Sequence, residues 1–326
     1  MSIQTLFNPF EYKNLTLKNR FVMAPMTRAF STDGIPDSAV AGYYERRAAG
    51  DVGLILTEGT VIERPSSKNL KDIPNFYGDQ ALAGWKNIVD AVHEKGGKIA
   101  PQLWHVGYTP MQWTPPAAFE SPDTMTLADI EATIQAYADA AKSAKDLGFD
   151  AFEIHGAHGY LIDQFFWEGM NHRTDEFGGK TIKERSKFAV EVVKAMRKAV
   201  GPDFVIILRL SQWKQQDYTA KLAPTPAAME DWILPLTDAG VDIFHGSQRR
   251  YWEPEFEGSD LNFAGWLKKI SGQPTITVGS VGLDKDFGDV FTNSEFKSSP
   301  ASLDKLVRRY ERGDFDLVAV GRAILQ

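Results

Sequence analysis

The chain has 326 residues, 43% hydrophobic and 24% charged, a balance that supports a sizeable core and contains no apolar run long enough to span a membrane. The formal net charge of −7, with no run of lysine or arginine, argues against nucleic acid or an anionic membrane as the main partner. Cysteine is absent, which removes disulfides, thiolate-bound iron–sulfur clusters and a thiol nucleophile together. The N-terminal stretch MSIQTLFNPFEYKN has neither a basic leader nor a long apolar core, so a cytoplasmic protein is expected.

Residues 4–17 (QTLFNPFEYKNLTL) alternate enough to form a hairpin. Short apolar runs then recur at residues 21–24, 53–58, 98–104, 151–155, 204–210, 241–245, 275–278 and 317–320. Amphipathic stretches separate them. Ile130, Ile134, Tyr137, Ala141, Ala144 and Leu147 keep a helical spacing that Gly148 can stop, and Ile88, Val89 and Val92 do the same ahead of Gly96 and Gly97. Thr225-Pro226 reads as a cap followed by proline at the first helical position. Eight strand–helix pairs in this order predict one (β/α)8 TIM barrel over residues 1–326, with the hairpin capping its floor. Residues 104–122, rich in proline and aromatics, form a long loop after the third strand, and residues 284–300 read as a second polar excursion.

In such a barrel the chemistry sits where strands end. The first barrel strand ends in Ala24-Pro25-Met26-Thr27-Arg28, the second in Thr57-Glu58-Gly59 and the third in Pro101-Gln102-Leu103-Trp104. The fourth delivers His155, His158 and Tyr160 within six positions, backed by an apolar turn of Leu161, Ile162, Phe165 and Phe166. Arg209, Ser211 and Gln212 end the fifth, and His245-Gly246-Ser247 the sixth. Gly279-Ser280 and Gly321-Arg322 close the last two, glycine turns of the kind that hold a phosphate in this fold.

These residues in this order resemble the Old Yellow Enzyme family of FMN-dependent ene-reductases. The most specific parts are FVMAPMTR (residues 21–28), residues 155–179 and the closing Val320-Gly321-Arg322. The resemblance implies tightly bound, non-covalent FMN across the barrel top, with its phosphate at Gly279, Ser280, Gly321 and Arg322. It places Arg209 beside the N1/O2 edge, Gln102 and Gly59 on the pyrimidine side, and Pro25, Met26 and Thr27 along the O4/N5 edge. Thr27 stands where one branch of the family carries cysteine. NAD(P)H, either NADH or NADPH, would be the reductant. An α,β-unsaturated carbonyl or nitro compound would then be gripped through its oxygen by His155 and His158, with Tyr160 as proton donor and Trp104 lining the pocket. A homodimer is compatible with this reading. Relatives continue into a last helix where this chain stops at Gln326, so the barrel is expected to be shortened at its C-terminus.

Residues 247–260 (SQRRYWEPEFEGSD) mix aromatics and charges, and Tyr251, Trp252 and Phe256 are not expected all to be buried there. The loop is expected to wall the substrate, with Tyr251 touching it. Other features read as structure. His93, His172 and His105 are expected to be structural, His245 is open to either role, and the charged face over residues 183–198 reads as solvated helix. The HxxH spacing of His155 and His158 lacks the further ligands of a metal site. Two rivals stay open: a flavin-free phosphate-binding lyase, which would need Lys98 or Lys214 as its amine, and a flavin-binding protein without turnover.

Overall fold

The computed structural model describes residues 2–111, 113–284 and 299–325. A hairpin of β1 (Phe10–Tyr12) and β2 (Leu15–Leu17) precedes the barrel strands β3 (Phe21–Met23), β4 (Leu54–Val61), β5 (Ile99–Trp104), β6 (Ala151–His158), β7 (Val205–Lys214), β8 (Ile243–Ser247), β9 (Thr275–Val278) and β10 (Leu317–Val320). These eight pair in parallel, in chain order, and β10 closes on β3. Every expected strand is present. Several run further than their apolar stretch, β6 to His158 and β7 to Lys214, because polar side chains continue the ladder into the mouth.

Alternation along each strand makes two cores. Inward positions such as Val22, Leu54, Ala100, Ala151, Val205, Ile207, Ile243 and Leu317 fill the barrel. Phe10, Leu15 and Leu17 of the hairpin join that same cluster, so the hairpin plugs the floor. Outward positions such as Ile55, Leu103, Phe152, Ile206 and Phe244 pack beneath the helices. The N-terminal segment differs from expectation at its start. Residues Ile3–Phe7 form a 3-10 helix capped by Ser2, whose Oγ accepts from the Gln4 N–H, and only the remainder is hairpin.

The expected helix signals hold. Thr225 Oγ1 accepts from the Ala228 N–H, with Pro226 opening helix Pro226–Ala239. Helix Leu127–Asp146 ends ahead of Gly148, whose φ is +88°. Residues 183–198 are more than a solvated face. In helix Lys187–Val200 the side of Phe188, Val192, Val193 and Met196 is core, because the apolar stripe faces the barrel. Arg185 is buried just before it and donates to the Phe166, Gly179 and Lys180 carbonyls.

Residues 105–126 form the long loop after β5, pinned by His105 Nε2 against Glu120 Oε2 at 2.7 Å. Most of the second expected excursion lies outside the described residues. In the loop after β8 Trp252 is only half-buried, in keeping with the expectation that the three rings are not all buried, but Tyr251 and Phe256 join the core. Tyr251 is buried with Leu6, Ala264 and Leu306, and Phe256 sits edge-on to Trp266 at 5.0 Å. The charges on this loop are met both within it, where Arg250 pairs with Glu253, and from outside it, where Lys221 faces Glu255 and Arg312 faces Asp260.

Candidate active site

Strand alternation carries the barrel from apolar to polar as it approaches the mouth. The inward side chain after Ala100 is Gln102, after Ala151 it is Glu153, after Ile207 it is Arg209 and after Ile243 it is His245. Register sets them side by side, with Gln102 opposite Glu153 and His155, Arg209 and His245 in one row. Glu153 is fully buried and joins two of them: it accepts from Gln102 Nε2 at 2.7 Å and bonds His245 Nδ1 at 2.5 Å. This settles the open role of His245, which braces the floor of the site.

His155 of that row is joined by His158 and Tyr160, which follow it in the chain. Their rings pack edge to face, with His155 5.2 Å from His158 and 4.9 Å from Tyr160. Trp104 stacks beside His155 at 5.8 Å and meets Tyr160 edge-on at 4.7 Å. His158 has φ +66°, a left-handed conformation uncommon for a residue other than glycine. A register shift in the β6–β7 pairing between Gly156 and His158 produces it, and bulges of this kind re-aim side chains. The strain is held from several sides. The His158 N–H donates to Ser211 Oγ at 2.9 Å, its carbonyl accepts from the Gln215 N–H, and its ring stacks on Trp213 at 4.4 Å.

The electrostatics favour neutral imidazoles. Burial, then the nearby Arg209 cation, pushes both His155 and His158 well below the usual histidine value. His155 Nδ1 accepts from the Ala157 N–H at 3.4 Å, which places the ring proton on Nε2. His158 Nε2 lies 2.7 Å from Ser247 Oγ, which also accepts from Arg209 at 3.3 Å. Burial raises the Tyr160 phenol, against a lowering bond from Gln215.

A cavity of about 720 Å³ opens over these groups. Pro25, Met26, Thr27, Gln102, Trp104, His155, His158, Tyr160 and Arg209 line it together with Gly279, Ser280, Gly321 and Arg322. Glu58, a strand-end residue, anchors the wall at Thr27 by accepting from the Arg28 and Ala29 N–H groups. Gly279 has φ +132°, and a Cβ there would sit 2.5 Å from the Gln248 carbonyl. Two of the expected site residues stand elsewhere. Gly59 is buried behind the wall, where a Cβ would strike the Trp104 ring at 2.4 Å, so its bareness makes room for that indole. Tyr251 is 3% exposed and off the cavity wall, turned into the core because Asn262 holds its carbonyl.

Residues 5–297 match the model of the NADH:flavin oxidoreductase / NADH oxidase family. The chain belongs to that family. It is 38% identical over 346 residues to 12-oxophytodienoate reductase 1 of Oryza sativa subsp. japonica, covering 95% of this chain and 89% of that one. It is 37% identical to 12-oxophytodienoate reductase 7 of the same plant over 228 residues, where the match spans 57% of the relative's length. Among solved structures, morphinone reductase in complex with tetrahydroNAD superposes with a TM-score of 0.76 at 29% identity, over 97% of this chain and 86% of that one. As a member of the NADH:flavin oxidoreductase family, this chain is an FMN-dependent oxidoreductase of the ene-reductase kind, driven by NAD(P)H.

The cavity suits FMN on its own evidence. Arg209 is buried and its Nε has no hydrogen-bond partner among the described residues, a vacancy suited to an acceptor on a bound ring. The missing Cβ of Gly279 lets its turn close on the backbone of Gln248, Arg249 and Arg250, and that turn lines the same cavity as Arg209. Lys214, the amine a lyase would need, is fully buried and paired with Asp163 at 2.7 Å, and Lys98 is tied to Asp150. Sequence reasoning missed Glu153, Trp213 and Gln215 as parts of the site and gave Ser247, a named strand end, no partner. The alternation of β6 already places Glu153 on the inward face, two residues before His155. Nothing local marks Trp213 or Gln215.

Proposed function

We propose that the enzyme reduces the activated C=C bond of α,β-unsaturated carbonyl or nitro compounds, with His155 and His158 gripping the substrate oxygen and Tyr160 giving the proton. FMN, when bound, supplies the hydride-carrying chemistry, loaded from NAD(P)H and discharged to the alkene. Arg209, Gln102, Pro25, Met26 and Thr27 would hold its ring system, and Gly279, Ser280, Gly321 and Arg322 its phosphate. Arg209 would face negative charge that builds on the ring, where a preorganised cation in a dry site is most effective.

The observation that carries this reading is the pair of neutral imidazoles, His155 buried and His158 half-buried, beside the buried Arg209 guanidinium on the cavity wall. Neutral ring N–H groups donate to an oxygen without requiring a counter-charge. Their bonds strengthen as that oxygen takes on enolate character, so they favour the transition state over bound substrate. Tyr160, fixed edge-on against His155 and Trp104, is then the group for general acid catalysis at the α-carbon. A cytoplasmic setting and a homodimer complete the reading.

The decisive experiment is the visible spectrum of the purified holoenzyme titrated with p-hydroxybenzaldehyde. A long-wavelength charge-transfer band should appear and should weaken together with enone reduction in His155→Ala and His158→Ala. A band of full strength in both variants contradicts the oxygen clamp. A colourless protein contradicts the whole reading.

A further inference from the structure

Tyr160 can give up a proton only as readily as its phenolate is tolerated, and the phenol oxygen already has a partner. We propose that Gln215 is a positioning residue for proton transfer: its amide holds the Tyr160 oxygen, turns the phenol proton into the cavity and stabilises the phenolate left behind. The proposal rests on the reading of Tyr160 as the acid.

Gln215 Nε2 donates to Tyr160 Oη at 2.9 Å, and both side chains line the cavity. With that lone pair occupied, the phenol's own hydrogen is left for another acceptor. The ring cannot turn away, because Trp104 and His155 meet it at 4.7 and 4.9 Å. The Gln215 side chain is exposed apart from its bond to Tyr160, and its backbone is what is fastened. Its N–H donates to the His158 carbonyl at 3.2 Å, and the next residue reaches Gly159 O through Gln216 Nε2 at 3.1 Å. Beneath them Lys214 pairs with Asp163 at 2.7 Å, and Asp163 accepts from the Gly159 N–H at 2.5 Å. Three successive residues, the last of β7 and the two that follow it, are thus fastened to the turn that presents Tyr160.

The chemistry balances. FMN, when bound, would supply the hydride for the new C–H bond at the β-carbon, and the alkene electron pair would then be carried toward the α-carbon and the oxygen clamped by His155 and His158. The Tyr160 O–H bond then breaks as a C–H bond forms at the α-carbon, leaving a phenolate that water reprotonates. An amide N–H bonds a phenolate more strongly than a phenol, so Gln215 assists the step in the forward direction. The effect has the sign seen at Tyr160, where burial raises the phenol and Gln215 lowers it.

The test is rapid mixing of NAD(P)H-reduced holoenzyme with an enone, for wild type, Gln215→Leu, Gln215→Glu, Tyr160→Phe and the Tyr160→Phe/Gln215→Leu double variant. Gln215→Leu should slow this half-reaction roughly tenfold, the worth of one hydrogen bond to a charged group. Gln215→Glu keeps length but accepts instead of donating, and should be at least as slow. The alkaline limb of the pH profile should move upward in Gln215→Leu. In the Tyr160→Phe background the Leu substitution should cost nothing further. A wild-type rate in Gln215→Glu, or the same fold-loss in both backgrounds, overturns the role of Gln215. An unchanged rate in Tyr160→Phe alone instead removes Tyr160 as the acid, and Gln215 with it.

Discussion

Ser247 Oγ stands 2.7 Å from His158 Nε2 and accepts from the Arg209 guanidinium at 3.3 Å. A guanidinium can only donate, so the serine hydroxyl proton is free to point at His158 Nε2, which leaves the imidazole proton on Nδ1. One hydroxyl thereby links the cation proposed to sit beside the flavin to the donor proposed to grip the substrate.

Ser247→Ala should therefore keep FMN, since the wall at Arg209 and Gly279 is intact, while its p-hydroxybenzaldehyde affinity falls about tenfold through loss of one hydrogen bond at a buried site. Spectral titration measures both. Equal affinity in the variant would show that His158 is oriented without the serine.

Glu153 accepts from Gln102 and bonds His245, and all three are buried. Removing it leaves a buried amide and imidazole unsatisfied. Glu153→Ala should cost about 3 kcal/mol in urea unfolding and should loosen FMN, because Gln102 is no longer aimed. A loss below about 1 kcal/mol would mean the pair finds other partners.

The pH response follows from groups shifted in opposite directions. Burial holds His155, His158, His245 and His105 below their unfolded value, so on acidification the unfolded chain takes up protons before the folded one. Stability is therefore present above the unfolded value, roughly pH 6.5, and falls below it by up to about 1.4 kcal/mol per pH unit for each group. Glu255 works the other way. Burial raises its carboxyl to about 7, so its contribution is present at low pH and is lost as pH rises toward 7. Replacing both His155 and His158 by asparagine should flatten the decline in unfolding free energy between pH 6.5 and 5. Parallel slopes for variant and wild type would show that the two imidazoles titrate normally.

The residues alone determined the barrel and most of its mouth. Strand and helix periods are local properties, and alternation carries Gln102, His155 and Arg209 to the same inward face wherever the sheet closes. The resemblance then supplied roles for residues whose spacing is the same in the folded chain. Tertiary structure decided what depends on contacts far apart in sequence. Tyr251 and Phe256 lie in a polar stretch, and only their packing against Ala264 and Trp266 made them core. Gly59 looked like part of the cradle until the Trp104 indole filled the space beside it. Gln215 meets Tyr160, and Ser247 meets His158, across 55 and 89 residues of chain. Such pairs leave no periodic mark, because a hydrogen bond between two strand ends depends on register and bulge and leaves the composition of either segment unconstrained.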